Sequence, residues 1–247
     1  MNKVYKALKQ ALEACLDIKI LFLVFVPFLM ALLIAVVLFF TLGTWWVTTA
    51  TGLVENSWIS EFLAQKWQLI SEGTLASVSY ILGLLIAMLI ILPFSYLLSV
   101  LLVSLVLLPF ILKIIGTKDF PQLEKLRGGS NFVSVMNSLK VAFFYFAALI
   151  LTLPLWLLPG FAIALPVILS AYLNKNIFVY DVLQDYASAE ERQRLEKENR
   201  GYLYVLGIIL GFMNYLPLAF VVVPTFASLA YSYFCLNALQ ELRENRP

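Results

Sequence analysis

Four stretches of this chain contain no Asp, Glu, Lys or Arg: Ile20–Val54, Gly73–Leu112, Val141–Asn174 and Gly201–Gln240, of 35, 40, 34 and 40 residues. The 17 basic and 15 acidic side chains all lie between or beyond them. A helix of roughly 20 apolar residues crosses the hydrocarbon core of a bilayer. A chain patterned this way folds inside a membrane, and its mean hydropathy of +0.91 excludes an ordinary soluble domain.

The charges between the runs set their directions, because cytoplasmic loops near membrane ends are enriched in Lys and Arg. Lys3, Lys6, Lys9 and Lys19 place the N-terminus inside, whereas Lys66 against Glu55, Glu61 and Glu72 places the first loop outside. Lys113, Lys118, Lys125, Arg127 and Lys140 mark the next loop as inside. Lys175, Arg192, Arg194, Lys197 and Arg200 mark the following one as inside too. The third run therefore starts and finishes on one side, and its middle carries the turn dipeptide Pro159-Gly160. Its arms are too short for two clear crossings, so it reads as a half-penetrating hairpin. The fourth run repeats the pattern around Pro217 and Pro224, although its second arm is also long enough for a full crossing.

The expected fold is all-α integral membrane: two long transmembrane helices plus two Pro-interrupted, hemi-penetrating helical hairpins, with short amphipathic surface helices. It divides into a surface helix (1–19), first crossing (20–54), outer interfacial loop (55–72), second crossing (73–112), cytoplasmic loop (113–140), hairpin one (141–174), charged cytoplasmic helix (175–200), hairpin two (201–240) and tail (241–247). The hairpin tips are Pro159, Gly160 and Pro217. In the surface helix, Val4, Leu8, Leu12 and Cys15 form an apolar stripe with Lys3, Lys6 and Lys9 outside it, which suits anionic lipid.

The chain has no histidine, hence neither the usual neutral-pH base nor the commonest metal ligand. Cys15 and Cys235 have no Cys-x-x-Cys spacing. The net charge of +2 is too small to suggest nucleic acid. No enzyme, cofactor or metal site is expected. Two pairs of residues carry other chemistry. Lys113 and Lys140 flank the inner ends of the second and third runs, where ammonium groups and helix termini could hold an anion or simply snorkel. Asp181 and Asp185, four apart, would share a helix face. They could ligate a cation, share a proton, or serve capping and packing. None of the expected crossings holds a charge, so no intramembrane relay is visible.

The order Leu158-Pro159-Gly160, Tyr180-Asp181-x-x-x-Asp185, a charged helix, Leu216-Pro217-Leu218 and Pro224 resembles the bacterial CysZ sulfate transporters and the related etoposide-induced membrane proteins. Val26-Pro27-Phe28, Leu32-Leu33 and Pro109-Phe110 are similar to further landmarks of that family. The resemblance implies two long crossings, two half-penetrating hairpins, both termini cytoplasmic, a bacterial inner-membrane location and homo-oligomers in contact with membrane lipids. It also implies sulfate as substrate, with two departures. Ile111 to Gly116 stand where the transporters carry an Asn-Gly-Leu-Leu-Ala-Glu sequence associated with sulfate binding. Lys19, Ile20 and Leu21 stand where they carry an Arg pair. The expected function is passive passage of a small anion, sulfate among the candidates. The alternative is a non-transporting membrane organiser that binds partner proteins or shapes the bilayer.

The topology has its own test. A cysteine introduced near Trp58 should react with an impermeant maleimide in intact cells, whereas cysteines near Arg127, Arg194 and Arg243 should react only after permeabilisation. External labelling near Arg194 would mean that the third run crosses once.

Overall fold

The computed structural model describes residues 2–20, 94–158, 160–216 and 219–245, with scattered positions between 25 and 82. Every regular element among the described residues is helical, and the chain is an all-α integral membrane protein. Helix α1 spans Asn2–Cys15 and α2 spans Leu108–Lys118, entered through a π-helical turn at Val103–Leu107. Helix α3 covers Asn131–Thr152 and tightens into a 3-10 turn at Leu153–Leu157. Helices α4 (Phe161–Tyr186), α5 (Ala189–Glu198), α6 (Arg200–Met213) and α7 (Ala219–Glu244) follow. Among the described residues, four segments are long and apolar enough to cross a membrane: Phe94–Lys118, Phe132–Trp156, Phe161–Tyr186 and Val222–Glu244.

By contact the chain forms two compact units, Leu29–Leu98 and the remainder. Most of the expected first crossing, outer loop and start of the second crossing lies outside the described residues. Within the smaller unit, the Thr48 hydroxyl donates to the Trp45 carbonyl at 3.1 Å and the Asn56 amide to the Gly52 carbonyl at 2.8 Å. Trp45 and Trp58 are exposed there.

The larger unit is built around α7. Of the apolar window in Val222–Glu244, 89% is buried, against 28% for Phe132–Trp156. Thus α7 is the packed centre, and α3 presents Phe132, Met136, Leu139, Phe143 and Leu151 outward. Helix α1 docks on α7 through Val4, Ala7, Ala11 and Ala14. The stripe expected from spacing is therefore turned: Leu12 and Tyr5 are exposed, and Leu8 and Cys15 are half-buried. Alanines let two helix backbones approach, whereas the longer leucines fit the outer face. Lys3 pairs with Glu241 at 2.6 Å, and Asn237 donates to the Gln10 side chain at 2.7 Å, fixing the register of α1 on α7. Helix α1 ends at Cys15, and in the bend that follows the Asp17 carboxylate accepts the Lys19 backbone N–H at 3.1 Å and meets Lys118 at 3.3 Å. These two donors hold the Asp17 carboxyl below the ordinary carboxylate range. Burial pushes the Cys15 thiol up to about 11, so it is a poor nucleophile at neutral pH.

Helices α3 and α4 pack against each other across a tight turn. Leu158, which precedes a proline, is extended at ψ 133°, and Gly160 takes φ 87°, a left-handed conformation open to glycine. Pro159 and Pro217, two of the three expected tip residues, lie outside the described residues. Helices α6 and α7 are joined through Asn214–Leu216, where the Tyr215 hydroxyl lies 3.3 and 3.2 Å from the Ala162 and Ile163 carbonyls. The second turn is thereby tied to the first turn of α4.

Two findings differ from the reading of charge-free runs. Helix α4 continues without a break through Lys175, Asp181 and Asp185 to Tyr186, so the boundary drawn at Asn174 falls inside a helix. A charge ends a run by counting but not a helix, because a buried charge with partners can be carried within packed protein. The second finding is the pair Gly207 and Gly211, four apart on α6, lying against α4. A Cβ on Gly207 would sit 2.9 Å from the Ala171 backbone, and one on Gly211 would sit 3.0 Å from the Val167 carbonyl. Small residues at this spacing allow close helix approach in membranes.

Gly207→Val should lower the thermal midpoint of the detergent-solubilised protein, costing about 1–3 kcal/mol through forced separation of α4 and α6. Gly201→Val, at a position with nothing within 4 Å, serves as the control. Heating followed by size-exclusion chromatography reads both, and equal midpoints would refute the close-packing argument.

Candidate functional site

The C-terminal end of α4 leaves backbone carbonyls without intrahelical partners, and where such groups are packed inside protein they need donors from elsewhere in the chain. The loop before α3 supplies the donors. Leu126, Arg127, Gly128 and Gly129 donate their N–H groups to the carbonyls of Tyr186, Asp185, Ala187 and Gln184 at 3.4, 3.1, 3.0 and 3.1 Å. Gly128 and Gly129 lie so close to Ala187, Ser188 and Gln184 that a Cβ at either would clash. Arg243, from α7, adds a bond to the Tyr186 carbonyl at 2.7 Å and one to Glu124 at 2.8 Å. Its guanidinium also grips Glu191 at 3.2 and 3.1 Å. Glu191 in turn completes a capping box with Ser188 at the start of α5. Beside this junction lies a cavity of about 660 Å³ lined by Asp119 to Glu124, Leu126, Glu191 and Arg243 among others.

Asp181 is 3% exposed and accepts hydrogen bonds from Ser104 in the π-helical turn and Ser134 near the start of α3. Asp185, one turn on, is half-buried. The two carboxylates thus have different surroundings despite their spacing. Among the described residues no group of three or more Asp, Glu or Cys is placed to hold a metal. The arrangement supplies hydroxyl donors to one carboxylate and ties the π-helical turn, α3 and α4 at one point. Ser134 carried no signal in the sequence, because a lone serine near a helix start is ordinary.

Lys175 is 5% exposed, in the midst of an apolar helix. Its ammonium pairs with Glu196 of α5, donates to the Asn176 side chain at 3.2 Å and lies 5.7 Å from the centre of the Tyr204 ring on α6. Asn176 is itself held, its side-chain amide donating to the Tyr172 carbonyl and its backbone carbonyl accepting from Asn137 of α3. The site therefore joins four helices. Reading Lys175 as a cytoplasmic-loop charge missed this, and the only available signal was the polar triplet Asn174-Lys175-Asn176 next to an apolar run.

Lys113 on α2 and Lys140 on α3 are both exposed. Helix α3 packs mainly on α4, whereas α2 packs on α4 and α7. Gly116, also on α2, faces the Tyr186 hydroxyl, which leaves no room for a side chain there. That hydroxyl donates to the Leu112 carbonyl at 3.2 Å.

Among known proteins, a family model described as sulfate transporter CysZ/etoposide-induced protein 2.4 matches residues 7–224. No curated protein and no solved structure matches the chain.

Glu191 is 1% exposed, so Glu191→Ala should strand the Arg243 guanidinium and uncap α5, costing about 3–5 kcal/mol. Glu13→Ala removes only an exposed i,i+4 pair and should cost under about 0.5 kcal/mol. Thermal unfolding in detergent distinguishes the two. Similar small shifts would mean that the Glu191 junction is not what holds the end of α4.

Proposed function

Because the chain belongs to the sulfate transporter CysZ/etoposide-induced protein 2.4 family, we propose that it passes sulfate or another small anion across a membrane by a passive route. The observation that carries this reading is the family match over residues 7–224, on a protein whose described residues include four helices apolar and long enough to cross a bilayer. In this reading α3 with α4, and α6 with α7, enter the bilayer as half-penetrating hairpins whose tips are Pro159-Gly160 and Pro217, and the helices exceed the hairpin arms because their charged outer ends, at Lys140 and from Lys175 to Asp185, stay outside the hydrocarbon. Both termini are cytoplasmic, the membrane is a bacterial inner membrane, and the working form is a homo-oligomer. Helix ends inside the bilayer then present backbone dipoles to an ion. Exposed Lys113 and Lys140 gather anions at the inner face, and the Asp181 and Asp185 carboxylates serve the polar base of the first hairpin.

An anion held by ammonium groups is bound through charge-assisted contacts, worth roughly 1.5 to 3 kcal/mol each. Proteoliposomes should take up radiolabelled sulfate faster than empty liposomes, and competing oxyanions should slow uptake. Uptake no faster than in empty liposomes, with folded protein verified, would remove the transport reading. Lys113→Gln should lower sulfate affinity about tenfold. Lys118→Gln, which loses only the 3.3 Å surface pair with Asp17, should change it little. Equal, small effects from both would make Lys113 an ordinary interfacial anchor.

A further inference from the structure

We propose that the Lys175 ammonium is a binding site for a tetrahedral oxyanion, and that Glu196 occupies it here as a displaceable internal competitor. The proposal deepens the anion-transport reading above and rests on it.

Three observations carry it. First, the partners are unequally accessible: the Lys175 side chain is 6% exposed and the Glu196 side chain 41%. The exposed carboxylate marks the side from which the buried ammonium is reached. Second, the other contacts of the ammonium among the described residues are neutral, namely the Asn176 side-chain oxygen at 3.2 Å and the Tyr204 ring at 5.7 Å. With Glu196 withdrawn, a buried positive charge is left with dipoles alone, a state that draws in any anion of suitable size. Third, the two buried ion pairs differ. Glu191 is 1% exposed, fixed by Arg243 and by its own capping box, and that guanidinium is further committed to the Glu124 and Tyr186 carbonyls. Glu196 sits near the end of the ten-residue α5, beyond that anchored start. Rotation of one side chain, or lifting of the last turn of α5, would uncover Lys175 while α4 and α6 keep Asn176 and Tyr204 in place.

A sulfate or phosphate arriving at this point exchanges one carboxylate for one oxyanion on the same ammonium, with no bond made or broken. The device sets a threshold: anion must outcompete an internal carboxylate of high effective concentration. Removing the negative charge of Glu196 while keeping its shape should therefore strengthen anion binding, the opposite of what loss of a purely structural ion pair predicts.

The test titrates sodium sulfate into detergent-solubilised protein and follows thermal unfolding, with sodium chloride at matched ionic strength as reference. Glu196→Gln should show a sulfate-dependent rise in midpoint with apparent affinity about tenfold or more tighter than wild type. The double variant Lys175→Gln with Glu196→Gln should lose that rise. No gain in Glu196→Gln, or a gain retained in the double variant, overturns the proposal. Should Glu196→Gln not fold, Glu196→Asp, whose carboxylate stops one methylene short, is measured in its place and should gain in the same direction. If neither variant folds, the pair is structural and the proposal falls. Liposome uptake separates this from the transport reading. Wild-type uptake with no gain in Glu196→Gln removes the site alone, and a gain in Glu196→Gln with no wild-type uptake removes transport alone.

Discussion

The end of α4 is the constraint on which the larger unit depends. Four carbonyls, from Gln184 to Ala187, accept N–H groups of the loop 126–129, and Arg243 adds a further donor. A buried polar group left unsatisfied costs about 1–3 kcal/mol, so these bonds matter less for what they add than for what their absence would cost. The same contacts fix distant parts of the chain. Glu191 links Arg243 on α7 to the start of α5, and the path of α5 decides where Glu196 lies. The pairing at Lys175 is a consequence of how α4 is ended.

Helix α4 carries two buried charges, and each is tolerated for a different reason. Lys175 has an opposite charge, a side-chain amide and an aromatic face. Asp181 has two hydroxyl donors from different segments. Neither arrangement is evidence of great stability, since removing charges from water offsets most of what their partners contribute. What both do is specify register. The π-helical turn, α3, α5 and α6 each have one position at which these polar groups are satisfied. The buried carboxylate and ammonium thereby select one packing among many that an apolar helix would accept.

The stretch Ile111 to Gly116 falls on α2. There Ile111, Leu112 and Ile115 are buried, Gly116 is closed off by Tyr186, and only Lys113 offers an exposed charge. Backbone at this place serves packing against α4 and α7. The buried ammonium on α4, by contrast, is surrounded by one opposite charge, a side-chain amide and an aromatic face.

The sequence by itself determined the solvent, the class of element and the turns. Long charge-free runs require helices in a bilayer, and Pro159-Gly160 reads as a turn. Hydropathy reports transfer from water, and it says nothing about which apolar face meets protein and which meets lipid, because both are equally dry. Only tertiary structure turned α1 so that Ala7 and Ala11 face α7, buried that helix, and left α3 outside. The candidate site was less legible still. Asp181 was visible as an acid next to apolar sequence, but its serines come from 77 and 47 residues away. Lys175 read as the first charge of a loop, since a count along the chain cannot distinguish a charge that ends a helix from one that a neighbouring helix neutralises. That distinction is made by α5 folding back on α4, a contact between residues 21 apart whose energy exists only once both helices are packed.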